Sequence, residues 1–168
     1  MKYVSEEKYL GDIISGNGLA ESVKATVQKR RGQVLRNIIE IRAVLEDCRS
    51  NSLGGVMLGI ELWELAIIPY LLYNSETWTD IPVCTIALLN EIQLNFYRNI
   101  LSTPKSCPIP ALLWETGGML MEHRIAKNKI MFYHHIMNLP EDSLAYQIAK
   151  MQESLAFPGL VGELWVYG

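Results

Sequence analysis

Six basic side chains crowd one stretch of this sequence: Lys24, Lys29, Arg30, Arg31, Arg36 and Arg42, with Glu40 the one acid among them. Lys24, Gln28 and Arg31 follow i, i+4, i+7, so on a helix they share a face. A positive face of that kind can track a phosphate backbone, each contact releasing a counterion and making affinity fall with salt. An ordinary solvated helix face is the competing reading, and charge alone favours it. The carboxylates organise less well. Glu61 and Glu64 stand one turn apart in an apolar stretch, a spacing open to a general acid–base pair. Pairing with Arg or Lys of a neighbouring helix, or a place on a rim, is the simpler expectation. Asp80, Glu115, Glu141 and Asp142 fall at helix ends or loops and read as caps. His134 and His135 are adjacent and would point about 100° apart on a helix, so they are expected at a core or rim rather than on one metal. No nucleophile signature, glycine-rich phosphate loop or dinucleotide fingerprint occurs, and Gly54-Gly55 and Gly117-Gly118 read as turn formers. The residues imply no catalytic centre, no metal and no cofactor.

The composition bounds what can carry that basic face. A chain of 168 residues with 49% hydrophobic and 20% charged side chains is globular and long enough for one real core. The net charge of -3 and pI near 5.6 give no overall reason to expect a polyanionic partner, so the basic stretch is a local feature. Cys48, Cys84 and Cys107 are widely spaced and odd in number, which reads as reduced, structural thiols inside a cell, cytoplasmic or nuclear. The opening MKYVSEEKYL is too charged for a signal peptide. Leu53 to Tyr73 is apolar enough to span a bilayer, but Glu61, Glu64 and Pro69 interrupt it; a buried helix is the expectation, with no membrane partner.

The elements that position the basic face are mostly helices. Lys8 to Gly18, KYLGDIISGNG, reads as a β-hairpin arm, with Tyr9, Leu10, Ile13 and Ile14 strand-prone and Gly16-Asn17-Gly18 a turn signal. One hairpin is marginal alone and must pack on something else. Leu19 to Glu46 then lacks proline and places Leu19, Val23, Val27, Val34, Ile38, Ile41 and Leu45 on one stripe of a long helix that Gly32 is expected to bend. Asn51-Ser52 is read as a loop and cap before Leu53, and Thr79-Asp80 as the cap of a helix reaching Leu101, with Ile86, Leu89, Ile92, Phe96 and Ile100 inward. The prolines of Ser102 to Pro110 predict a loop, followed by a short helix over Ala111 to Glu115 and helices over Met121 to Asn138 and to about Gln152. Trp78 and Trp114 are expected in the core, with base stacking the alternative. The fold class is mainly α: five or six helices after a short hairpin or strand arm. The segments divide as an arm over 1–18, a helical region over 19–101, a second over 102–156, and a loose tail over 157–168.

Four motifs, taken in order, resemble the region after the catalytic palm in reverse transcriptases of non-LTR (LINE-type) retrotransposons. They are KYLGDIIS at Lys8 to Ser15, PYLLYNSETW at Pro69 to Trp78, NFYRNILSTPKSCPIPALLWETG at Asn95 to Gly117, and EHRIAKNKIMFYHHIMNLPEDSLA at Glu122 to Ala145. On that resemblance Tyr9, Leu10 and Gly11 correspond to the primer grip, a hairpin that packs on the palm and steadies the primer end. The hairpin's packing partner would then lie upstream, in the palm. The helices after it correspond to the thumb and linker, which lie along the template-primer duplex. The resemblance therefore implies nucleic-acid contact by Lys24, Gln28, Lys29, Arg30, Arg31 and Arg36, with an RNA–DNA or RNA duplex as partner. Self-association through the apolar surface that a palm would cover is left open by the sequence.

The departures from the family are specific. The family polymerises with palm aspartates in a Y-x-D-D type motif, and this sequence has no adjacent Asp pair, so no polymerase step of its own is expected. Asn74 stands where the family has glycine, a mild change because Asn tolerates positive φ. Asp12 stands where it has an apolar residue, putting a charge on a strand expected to bury a face. The rival reading is a helical interaction or scaffold protein without nucleic-acid binding, its basic face solvated or docked on an acidic partner.

Overall fold

The computed structural model describes residues 6–47 and 53–154. The expected cap at Asn51-Ser52, the thiol of Cys48 and the tail over 157–168 lie outside the described residues. Two strands, β1 (Glu6–Tyr9) and β2 (Asp12–Ser15), pair antiparallel in the register Tyr9↔Asp12 through Glu6↔Ser15. After them come α1 (Leu19–Asp47), α2 (Leu53–Leu62), a π-turn (Trp63–Ile67), α3 (Ile68–Leu71), a 3₁₀ turn (Ser75–Thr77), α4 (Val83–Leu101), α5 (Ile109–Thr116), α6 (Met121–Met137) and α7 (Leu144–Ser154). The fold is mainly α with an N-terminal hairpin. It divides into one compact unit of Met1–Tyr73 with Asp80–Met121 and a second of Asn74–Thr79 with Glu122–Gly168.

The hairpin turns at Leu10-Gly11, not at Gly16-Asn17-Gly18. Both turn residues have positive φ, 46° and 99°, the signature of a two-residue type I′ turn, whose twist suits the strands it joins. The Gly-Asn-Gly stretch instead starts α1: the Gly18 carbonyl accepts from the Ser22 amide and from its hydroxyl.

Within this chain the hairpin packs on α1. In a two-residue hairpin with this register, the amides of Ile13 and Ser15 point away from β1 and need other acceptors. The Ile13 N–H donates to Thr26 Oγ1 at 2.8 Å, and the Ser15 N–H donates to Ser22 Oγ at 2.9 Å. Arg30, one further turn along, donates Nη2 to the Asp12 carboxylate. Ser22, Thr26 and Arg30 are spaced by four on α1 and so line one face. Four helical residues rise about 6 Å and two strand residues about 6.8 Å, so the two ladders stay in step over this short length.

The first unit's core grows around this helix. Val23, Val27, Val34, Ile38 and Leu45 are buried as the stripe requires, whereas Leu19 is 66% exposed, one turn before the packing begins. α1 runs through Gly32 as one helix. The apolar segment from Leu53 buries one face only: Trp63, Ile67 and Leu71 are fully enclosed, while Met57, Leu65 and Glu61 are exposed. By length and composition Gly54–Leu71 could cross a membrane; 22% of that stretch is buried inside the protein. Pro69 explains the π-turn. In a regular helix its ring would collide with the carbonyl four residues back, and widening the preceding turn avoids that, with the Ile68 N–H reaching back to Trp63 O. Trp63 then stacks on Phe96 at 4.7 Å between centroids and meets Tyr97 edge-on at 5.9 Å. Gly117 ends α5 at φ 62°, and Gly118 lies so close to Tyr97 that a Cβ would sit 2.7 Å from its ring.

Other expectations shift by a few residues. α4 begins after Pro82 rather than at a Thr79-Asp80 cap, and α5 begins at Ile109, with Pro110 inside its first turn, where its missing N–H is harmless. In the second unit, Asn128 of α6 donates to the buried Ser75 hydroxyl at 2.9 Å, and Trp78, Ile125, Lys129 and Ala149 are buried.

The ladder between α1 and β2 is directly testable. Thr26→Val keeps the side-chain volume and removes the acceptor of the Ile13 amide. Losing about 1 kcal/mol at that bond should speed hydrogen exchange of Ile13 roughly fivefold while leaving the Phe96 amide unchanged. Unaltered exchange at Ile13 would refute the ladder.

Candidate nucleic-acid interface

The nine residues singled out for nucleic-acid contact divide into four environments. Tyr9 and Leu10 are exposed at the hairpin tip, 64% and 74%, and Gly11 beside them rests on the ring of Tyr73, whose Cε1 would lie 3.7 Å from a Cβ there. Leu10 is the unusual member. A leucine at φ 46° is in a conformation that costs an L-residue about 1–2 kcal/mol, and here its side chain projects into solvent. Asn or Gly would suit the turn better. The strain is kept where an apolar side chain is displayed, which makes the tip a candidate contact.

Arg30 is the second environment, and it corrects the sequence reading. It is 4% exposed, with its guanidinium bonded to Asp12, to the Tyr73 carbonyl at 2.7 Å and to the Leu71 carbonyl at 3.4 Å. Its Cζ also lies 5.6 Å from the centroid of the Tyr73 ring. Burial pulls its pKa below the ordinary arginine value, and the neighbouring Asp12 carboxylate opposes that shift. Arg30 thus holds the hairpin to α1 and to the end of α3 and offers no phosphate contact from this position. Asp12, the charge out of place on a strand, is its counterion.

Lys24, Gln28 and Arg31 form the third environment. Gln28 and Arg31 are exposed, and Lys24 is partly so, paired with Glu21 at 3.3 Å. That exposed pair is worth a few tenths of a kcal/mol and yields readily to a phosphate. Arg31 also lines a groove of about 90 Å³ between α1 and α4, opposite Glu91, Asn95 and Asn99, over a floor that includes Ile38 and Phe96. Sequence reading missed this α4 side of the face. Glu91, Asn95 and Asn99 follow i, i+4, i+8, a spacing legible in the sequence once the opposite, apolar face of α4 is assigned to the core.

Lys29 and Arg36 are the fourth. Both are exposed, but Arg36 lies about 140° around the helix from Arg31, and its Nη2 donates to Gln33 Oε1 at 2.8 Å. They belong to the far side of α1, not to the face of Lys24 and Arg31. Trp114 is also corrected: at 87% exposure it is outside the core, while Trp78 is buried. Among the described residues, no group of three or more His, Cys, Asp and Glu side chains is placed to hold a metal ion. Asn74 adopts φ 60°, a left-handed conformation that asparagine tolerates, and carries the chain from α3 into the 3₁₀ turn. Two of the resemblance motifs thus meet in space, with Gly11 of the first against Tyr73 of the second.

Comparison of this chain with protein-family models, curated proteins and solved structures finds no match in any of the three.

The strain at the tip has a measurable signature. Leu10→Asn should stabilise the protein by about 1 kcal/mol, which raises Tm by roughly 2–4 °C for a chain of this size. An unchanged or lowered Tm would mean that Leu10 is held by packing rather than displayed at a conformational cost.

Proposed function

We propose that this chain is a non-catalytic nucleic-acid-binding module, akin to the thumb and following linker of a non-LTR retrotransposon reverse transcriptase, that holds an RNA–DNA or RNA duplex by its backbone inside the cell. The observation that carries the reading is the latch of Arg30. It fixes the exposed tip of Tyr9 and Leu10 to the same helix that presents Lys24, Gln28 and Arg31, so one helix carries both contact surfaces. In this reading the tip steadies a strand end, the α1 face follows phosphates, and no nucleotide transfer occurs because the aspartate pair that would hold two metals has no counterpart in the sequence. Lys24 and Arg31 supply charge; Gln28 supplies neutral hydrogen bonds to the same backbone.

A helical interaction module is the second reading. It is favoured by exposed apolar side chains: Trp114 at 87%, Val83 at 85%, and Leu144, Ile148 and Met151 along one side of α7. Self-association through such surfaces is compatible with either reading.

Binding of the purified chain to a labelled RNA–DNA hybrid across a salt series separates them. The duplex reading expects affinity to fall steeply with salt, and Lys24→Glu combined with Arg31→Glu to flatten the log–log slope by about two. No binding at low salt would sink it and leave the interaction module.

A further inference from the structure

We infer that the groove between α1 and α4 is a ribose site, and that Glu91 there makes the surface selective for an RNA strand; this rests on the duplex-binding reading above. The groove is built unlike a phosphate site. Its floor is apolar, with Phe96 1% exposed beneath the half-exposed Leu35, and its rim is polar, with Arg31 on one side and Glu91, Asn95 and Asn99 in steps of four on the other. A phosphate has no apolar face to lay on such a floor, whereas a sugar has C–H faces and a polar edge.

The acid decides which sugar. Among the described residues none of the four rim side chains makes a hydrogen bond or ion pair, so the Glu91 carboxylate has its acceptor oxygens open to a ligand. A carboxylate on a surface that follows phosphates is repelled by the ligand unless it meets a donor. The sugar–phosphate backbone of DNA contains only acceptors. That of RNA adds one donor per nucleotide, the 2′-hydroxyl, which is also the group that lets proteins tell the two apart. Glu91 therefore penalises a deoxyribose strand and accepts a hydrogen bond from a ribose strand, a charge-assisted bond of the stronger kind. Asn95 and Asn99, each able to donate and accept, suit the neighbouring sugar and phosphate oxygens. The strand seated on α1 and α4 is accordingly RNA.

The test compares duplexes of one sequence at one salt concentration by fluorescence anisotropy: RNA–DNA, DNA–DNA, and an RNA–DNA hybrid whose RNA strand is 2′-O-methylated. The methylated strand keeps an A-form shape and lacks the donor. The unaltered chain should bind the RNA–DNA hybrid roughly threefold to tenfold more tightly than the other two. Glu91→Ala, at an exposed position that the fold does not need, should bind all three alike, its DNA–DNA affinity having risen. Equal affinity of the unaltered chain for methylated and unmethylated hybrids would overturn the inference. So would a Glu91→Ala variant that gains affinity for every duplex by the same factor, since that marks a plain repulsive charge. Either result leaves duplex binding intact. Salt-sensitive binding to none of the duplexes would remove the duplex-binding reading itself, and this inference with it.

Discussion

The contact on which the rest of this protein depends is the buried pairing of Arg30 with Asp12, seated at the end of a polar ladder between α1 and β2. A two-stranded hairpin has too little surface to be stable by itself. Here one edge is satisfied not by a third strand but by hydroxyls at Ser22 and Thr26, and the far end is fastened by a guanidinium that also takes the carbonyls of Leu71 and Tyr73. Arg30 therefore joins three pieces of chain that are distant in sequence. Lysine could not do this, because one ammonium cannot span a carboxylate and two carbonyls with a planar fork. The pair is poor evidence for net stability, since burying both charges offsets much of their attraction. What it supplies is position.

Position is what the surface needs. The tip of Tyr9 and Leu10 and the face of Lys24, Gln28 and Arg31 lie on opposite sides of the latch and share α1 as a common strut. The strut packs on α4, whose Phe96 stacks on Trp63 and also forms the floor of the α1–α4 groove. The π-turn forced by Pro69 lets Trp63, Ile67 and Leu71 all face inward despite the proline. Thus a helix apolar enough to pass for a membrane span puts one face into the core of the first unit.

Much of this was legible in the sequence because it rests on periodicity. The stripe Val23, Val27, Val34, Ile38 and Leu45, the inward face of α4, and the mainly α class follow from apolar spacing, and Asn74 at positive φ follows from what that residue tolerates. What periodicity could not show was partnership across the chain. Arg30 looks like its neighbours Lys29 and Arg31 until the fold turns it toward Asp12, and charge counting gives all three the same role. The ladder between β2 and α1 was equally hidden, since hydroxyls at Ser22 and Thr26 carry no hydrophobic signal. Leu10-Gly11 carries no turn signal by type, because leucine at positive φ is a strained choice that propensity discounts. Trp114 sits within an apolar helical stretch, which points to the core, yet α5 is only eight residues long and turns that side outward. Glu91, Asn95 and Asn99 escaped notice because polar spacing on an exposed face means nothing until the facing helix is known.

The measurement that tests the central claim most directly is hybrid binding by Arg30→Met and by Arg30→Met combined with Asp12→Leu, with thermal unfolding followed alongside. Removing Arg30 alone leaves a half-buried carboxylate without its partner and should release the hairpin, lowering both Tm and affinity. Replacing both members with apolar side chains should restore the docking of the hairpin and, with it, most of the affinity. A double variant that recovers its Tm but not its binding would mean that Arg30 acts on the nucleic acid itself, and would contradict the account in which it is the latch.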